Sequence, residues 1–304
     1  MKACVCVLGL FFCTSCFVQA QDNRLINTHS WQYEYIKRLQ QRGHLLQLNP
    51  TDLPYAYGDI RKALQDVNPK TLTEQEKRWY NLLAQNIRER STNVDDMRVG
   101  VVFDGGARHS SSGRLDVIDP GEEGKPILPR GRLNGYLEWN RWIGQAGVTF
   151  DWFYDIDPVG LDVANRLYTR SEETYLGYNG ERIDLYIGRF DNNWSLYDRR
   201  GAFLTDNPRS FDQIQFKFGS SKLSFSSMLG ELDNMGADST FTGRSFELGS
   251  FRRYLFLHRL DWSPIPNLKL SFIEGELYFS QTASLSIRNL IPLHFFFLKT
   301  PIHR

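Results

Sequence analysis

The stretch Gln145-Ala146-Gly147-Val148-Thr149-Phe150-Asp151-Trp152-Phe153-Tyr154-Asp155 decides the fold class. Ala146, Val148, Phe150, Trp152 and Tyr154 fall on alternate positions, with Gln145, Thr149, Asp151 and Asp155 between them. Successive side chains of a strand point to opposite faces, so this stretch predicts a sheet with one apolar and one polar side. The alternation starts at Met97, Val99, Val101 and Phe103, a run closed by Asp104. It returns at Leu133, Gly135, Leu137 and Trp139, opposed by Arg132, Asn134, Tyr136 and Glu138. Ile183, Leu185 and Ile187 repeat it, then Ile214, Phe216 and Phe218, then Leu223 and Phe225 beyond a Gly219-Ser220-Ser221 turn. Residues 254–262 and 268–279 form another hairpin around Pro264-Ile265-Pro266-Asn267. In all, about nine or ten strands are predicted, with polar loops at 105–129, 157–171, 191–209 and 230–249.

Short turns alternating with long polar loops, behind a secretion signal, are the pattern of an outer-membrane barrel, whose apolar side meets lipid and whose polar side meets the lumen. A soluble β-sandwich alternates as well. Lys2, the apolar run 5–12 and Val18-Gln19-Ala20 read as a secretory signal over residues 1–20, cleaved before Gln21. Lipidation of Cys16 is the competing reading, with Cys13 standing where an aliphatic residue is expected. Cys4, Cys6, Cys13 and Cys16 all precede the expected cut, so the mature chain has no disulfide or thiol chemistry. The best candidate for a membrane helix, 290–298, is too short and contains Pro292 and His294. A mean hydropathy of −0.42 is compatible with a barrel, in which only alternate residues need be apolar. Lys and Arg (36) balance Asp and Glu (35), which gives no basic surplus for nucleic acid and no acidic tail. Aromatic residues at 14% suit barrel girdles, sugar binding or an ordinary β core.

Between the signal and the strands, residues 27–90 read as helical. Trp31, Tyr35, Ile36 and Leu39 fall on one helical face, and Gly43 follows as a stop. After Pro50 and Pro54, a second helix starting at Asp59 carries Ile60, Ala63, Leu64 and Val67, with Pro69 behind it. Thr73 with Glu76 spells a capping box ahead of a third helix through Trp79, Leu82, Leu83 and Ile87. The expected organisation is a signal at 1–20, a helical periplasmic module at 21–95 and a barrel region at 96–304. The fold class is mainly β: an antiparallel transmembrane β-barrel, complete or incomplete, behind a small helical module.

Several segments together resemble the Wzi-like capsule-assembly family of outer-membrane barrels. They are Ile187-Gly188-Arg189 with Trp194, the stretch from Asn207 to Asp212, Leu257-His258-Arg259-Leu260, Phe272-Ile273-Glu274-Gly275-Glu276 and Asn289-Leu290-Ile291-Pro292. In the helical part, Arg38-Leu39, Arg42-Gly43, Pro54-Tyr55, Asp59-Ile60 and Ala63-Leu64 continue the resemblance in order. It covers most of the mature chain. It implies an outer-membrane barrel of a Gram-negative cell with a periplasmic helical bundle. It also implies a non-enzymatic role in attaching or organising capsular polysaccharide, with outer-membrane lipid as the other partner. Family members continue past the Asn289-to-Pro292 segment, whereas this chain ends Lys299-Thr300-Pro301-Ile302-His303-Arg304 rather than on an aromatic strand. The expectation is therefore a C-terminally truncated barrel.

The candidate polysaccharide-binding residues are Arg189, Trp194, Arg199, Arg200, Arg259, Glu274 and Glu276. Arginines pair with uronic-acid carboxylates, and aromatic faces stack on sugar rings. A loop-stabilising set of ion pairs with Asp191 is the simpler account of Arg189, Arg199 and Arg200. Glu274 and Glu276, two apart on a strand, read as sugar ligands, as an acid/base pair for glycoside cleavage, or more simply as a lumen-facing pair that is solvated or matched to Arg. His258 falls in line with Tyr254, Phe256, Leu260 and Trp262, near an interface, with Arg259 on the opposite face. Asp116, Asp119, Glu122 and Glu123 make an acidic loop without EF-hand spacing. No nucleophile elbow, zinc-protease motif, P-loop or dinucleotide fingerprint is present. The expectation is no catalytic residue, no metal and no cofactor. A polysaccharide binder ranks first, a porin-like diffusion channel second and a surface enzyme third.

Overall fold

A computed structural model describes residues 23–87, 97–108, 127–152, 169–195, 204, 210–235, 251–265 and 268–280. The expected signal, the acidic loop from Asp116 to Glu123 and the Asn289-to-Pro292 segment lie outside these residues. Helix α1 (Gln32–Gln41) buries Ile36 and Leu39 on one stripe. It stops where Gly43 takes a φ of +86°, which lets the Gly43 and His44 amides donate to the carbonyls of Gln40 and Leu39. A left-handed residue closing a helix in this way carries no steric cost only in glycine. Trp31, expected on the buried face, is exposed instead, because it stands at the N-cap and packs edge-on against Tyr35.

Helix α2 (Tyr57–Gln65) begins two residues ahead of Asp59, and it buries Ile60, Ala63 and Leu64. Helix α3 (Glu74–Asn86) opens on the expected capping box. The Thr73 amide donates to the Glu76 carboxylate at 2.8 Å, and the Glu76 amide donates to the Thr73 hydroxyl at 3.4 Å. Leu83 and Ile87 close the core of the helices, whereas Leu82, expected beside them, faces outward. No helix among the described residues is long and apolar enough to cross a membrane.

The rest is one antiparallel meander. Its strands are β1 (Arg98–Arg108), β2 (Leu128–Trp139), β3 (Trp142–Asp151), β4 (Thr169–Ser171), β5 (Thr174–Asn179), β6 (Ile183–Phe190), β7 (Phe211–Gly219), β8 (Leu223–Met235), β9 (Phe251–Ile265) and β10 (Leu268–Ser280). Each pairs with its sequence neighbour, except that β4 and β5 both pair with β3. Ser171 lies opposite Val148 and Tyr175 opposite Gln145, so this strand carries one more residue than β3 over the same span. That is a β-bulge, and its residue Glu173 sits in the left-handed region at φ +55°. The loops expected at 157–171 and 230–249 are shorter than read, since β4 occupies 169–171 and β8 runs to Met235. Among the described residues no pairing joins β1 to β10, so the sheet is open there.

A meander sends successive connections to opposite ends. The links 140–141, 180–182, 220–222 and 266–267 therefore share one end, and the long links after β1, β3, β6 and β8 share the other. The two faces differ as the alternation predicts. Val99, Val101 and Phe103 are 70–73% exposed, and Leu137, Trp139, Trp142, Phe150, Ile187, Phe218 and Trp262 are exposed on the same side. The opposite, polar side is covered by the helical segment, which docks at the short-turn end. Asn23 donates from its side chain to the Asn140 carbonyl at 2.9 Å and from its amide to the buried Glu138 at 2.8 Å. The Leu25 amide donates to the Tyr175 hydroxyl at 2.9 Å, and the Arg24 guanidinium lies 4.1 Å from the Tyr136 ring centre.

Gly147 is where the bulge crosses β3. A Cβ there would stand 2.3 Å from both the Glu172 carbonyl oxygen and the Asn134 Oδ1. We expect Gly147→Val to destabilise the sheet by about 1–3 kcal/mol, the usual cost of overpacking. Urea titration followed by far-UV circular dichroism checks this, and an unchanged midpoint would refute the close approach.

Candidate functional site

The polar face of the sheet is organised around two buried charges. The first is Glu173 at the bulge. One carboxylate oxygen accepts from the Asn27 side-chain amide and from Arg132 Nη1 at 3.2 Å. The other accepts from Asn134 at 3.1 Å and Gln145 at 3.4 Å. A buried carboxylate needs partners of this kind. The strained backbone of Glu173 is held by donors from β2, β3 and the N-terminal segment together. The alternation placed Arg132, Asn134 and Gln145 on this side, but nothing in the sequence marked Glu173 as their shared acceptor.

The second charge is Arg259 on β9, which is only 1% exposed. Its Nε donates to both oxygens of Asp261, at 3.0 and 2.9 Å. Its Nη2 donates to the Thr51 hydroxyl at 2.6 Å and to Ser271 at 3.2 Å, and its Nη1 to the Thr51 carbonyl. The guanidinium also lies 5.6 Å from the Trp194 ring centre. Thr51 belongs to the helical segment, so Arg259 binds that segment to the sheet. Two further ties lie close by. Lys217 Nζ donates to Asp52 Oδ2 at 2.5 Å, and the backbones of Leu53 and Asn193 exchange two hydrogen bonds at 3.0 Å. Burial alone pushes the Asp52 carboxyl up, but Lys217 and Arg259 outweigh it and hold the group below its ordinary value of 3.8. Between the helical segment and the short-turn end a cavity of about 430 Å³ remains.

The predicted binding residues are not brought together. Trp194 is buried among Leu204, Met228 and Leu257, beside Arg259. Both side chains are enclosed, although Trp194 falls in the polar loop expected at 191–209, because the chain after β6 folds inward to meet Leu53. Arg189 is at the far end of β6, where it pairs bidentately with Asp212 at 3.1 and 2.7 Å. Both side chains of that pair are solvent-exposed, so it adds little stability, on the order of 0–1 kcal/mol. Arg199 and Arg200 lie outside the described residues. The simplest expectation for Glu274 and Glu276 is a pair facing the lumen. The register corrects this: Glu274 pairs with His258 and Glu276 with Phe256, in line with Phe272 opposite Leu260, on the apolar side. Arg259 and Asp261, one residue out of step, point the other way. His258 does lie on the side of Leu260 and Trp262, as expected, with its Nδ1 3.8 Å from the Glu274 carboxylate.

The fold has a solved counterpart. The chain resembles Wzi, described as an outer-membrane protein involved in group 1 capsule assembly in Escherichia coli and as a carbohydrate-binding β-barrel, with a TM-score of 0.59. The two are 13% identical, and the likeness covers 88% of this chain and 56% of that one. The chain thus spans little more than half the length of the Wzi structure. No family model and no curated protein sequence matches it. The fold is Wzi-like: mainly antiparallel β, with a few helices.

Two consequences follow for the interior. Arg259→Ala leaves Asp261 buried without its cation, and we expect a loss of about 3–5 kcal/mol, read from urea unfolding by tryptophan fluorescence. A loss below one kcal/mol would mean that Arg259 is not the tie described. Asp52 has a lowered folded-state pKa, so its contribution is fully present above the ordinary value of 3.8 and is lost as pH falls through the lower folded value. The protection factor of the Leu53 amide, its intrinsic exchange rate at each pH divided by the observed rate, should therefore hold at about pH 5 and fall below about pH 3.8. A protection factor that already falls between about pH 6 and pH 5 would assign the tie to another group.

Proposed function

We propose that this chain is a non-enzymatic outer-membrane protein of the Wzi-like family that binds or organises surface polysaccharide during capsule assembly. The observation that carries the reading is its Wzi-like fold. In this reading, residues 1–20 are a signal, 21–95 a periplasmic helical module and 96–304 the barrel region.

The exposed side of the sheet supports a lipid-facing role. β3 carries Trp142, Ala146, Val148 and Phe150 on that side, and the exposed Trp152 directly follows the strand. Ten residue steps span about 33 Å along a strand, or about 25 Å across a bilayer at a tilt of about 40°. Trp139, Trp142, Tyr178, Phe218 and Trp262 cluster at the short-turn end, the level of an interfacial girdle. Short turns face the periplasm in such barrels; in this reading the helical segment lies on the periplasmic side and the link between β6 and β7 on the outer side. Arg189, Arg199 and Arg200 are the residues of that loop end that could pair with acidic sugars, with Trp194 and Arg259 anchoring its inner limb. Many weak contacts along a repeating polymer would supply avidity in place of a single tight site.

A diffusion channel needs a water-filled lumen. The helical segment and the limb at 191–195 lie across the polar side of the sheet, which favours a binder over a pore. Glu274 and Glu276, the candidate acid/base pair, lie on the opposite face of the sheet from the enclosed polar clusters, which weighs against glycoside cleavage.

Cells lacking the gene should release capsular polymer into the medium while making a normal total amount. Polymer that stays cell-bound would overturn the reading, and so would recovery of the mature chain as a soluble periplasmic protein.

A further inference from the structure

The ties at Asn23, Thr51 and Asp52 hold the helical segment to the sheet, but α2 stands away from the turns at 180–182 and 219–221. The space between them is the cavity of about 430 Å³, within the range of roughly 300–1,000 Å³ usual for small-molecule sites. We propose that this cavity binds a neutral saccharide unit from the periplasmic side. The choice of ligand rests on the polysaccharide reading above and deepens it: the chain would hold sugar at the end opposite its Arg-bearing loop as well.

The wall chemistry carries the inference. Gln215 lines the cavity, and its Oε1, buried in the wall, accepts no hydrogen bond from the described residues, so a small turn of the side chain offers it to a ligand donor. Asp59 and Asp184 also line the space, one from α2 and one from β6. Burial holds the Asp59 carboxyl above its ordinary value, and Lys217 only partly offsets this. A hydroxyl group both donates and accepts, so it satisfies a wall of carboxyl, amide and ammonium groups together. Tyr186 and Phe190 add apolar surface for the C–H face of a sugar ring.

Other ligands fit less well. Carboxyl side chains outnumber cationic ones around the cavity, which disfavours phosphate or a uronate. Among the described residues no group of three or more carboxylate, histidine or cysteine side chains is placed to hold a metal ion.

Saturation-transfer NMR on the full chain in detergent micelles tests the proposal, with cellobiose as the probe and glucuronate and inorganic phosphate as comparators. Cellobiose should give a saturable signal. Gln215→Leu, which removes the waiting acceptor, and Ser221→Trp, which narrows the mouth, should each weaken binding about tenfold with the circular dichroism spectrum unchanged. No saturable signal overturns the proposal, as does equal binding by both variants or tighter binding of glucuronate or phosphate. Capture of capsular polymer by the same preparations separates the two readings. Wild type that captures polymer but ignores cellobiose refutes the cavity alone; wild type that binds cellobiose but captures no polymer refutes the wider function alone.

Discussion

A guanidinium almost without access to water lies inside this structure, and much of the interior is arranged around it. Arg259 is acceptable there because Asp261 neutralises it and Thr51, from a distant part of the chain, takes up further N–H groups. That requirement joins the helical segment to the sheet more firmly than apolar contact does. The principal apolar clusters lie within the helices, around Tyr175 and around Trp194. The surface between helices and sheet is held largely by directional bonds: Asn23 to Glu138, Asn27 to Glu173, Lys217 to Asp52 and Arg259 to Thr51. Such bonds add modest net stability each, but a partner lost from a buried pair leaves a charge exposed to a dry interior.

The same logic explains the bulge. A regular strand through 169–179 would keep the chain in step with β3. One extra residue puts Glu173 over the polar side, where donors from β2, β3 and the N-terminal segment converge. The left-handed backbone of a non-glycine residue costs on the order of 1 kcal/mol, and the hydrogen bonds that converge on it offset this. Gly147 beneath it leaves room for the crossing.

Under the proposed reading the molecule faces different solvents on its two sides. On one side Val99, Phe103, Leu137 and Phe216 stand exposed among the described residues, which suits hydrocarbon. The polar side is occupied by the helical segment and by the inward limb at 191–195, so a polymer would be held at the ends of the structure and not passed through it. Glu274 and His258 on the apolar side run against this division. The His258 Nδ1 lies 3.8 Å from the Glu274 carboxylate, so these polar groups stand together on a side otherwise rich in apolar residues.

Alternation along each strand determined which residues share a face, because the period of two is a local property of extended backbone. The helical stripe of Ile36 and Leu39, the Gly43 stop and the Thr73–Glu76 box were legible for the same reason: their partners lie within a few residues. The burial of Arg259 and Trp194, the role of Glu173, the cavity beside Gln215 and the side taken by Glu274 were not. Each depends on contacts across many residues of chain, or on a strand register that a shift of one residue would reverse. What the sequence determined by itself is the two-sided sheet and the small helical segment ahead of it. Only the tertiary structure decided which polar groups face solvent and which hold the interior together, because desolvation depends on what is folded over a residue and not on its neighbours in the chain.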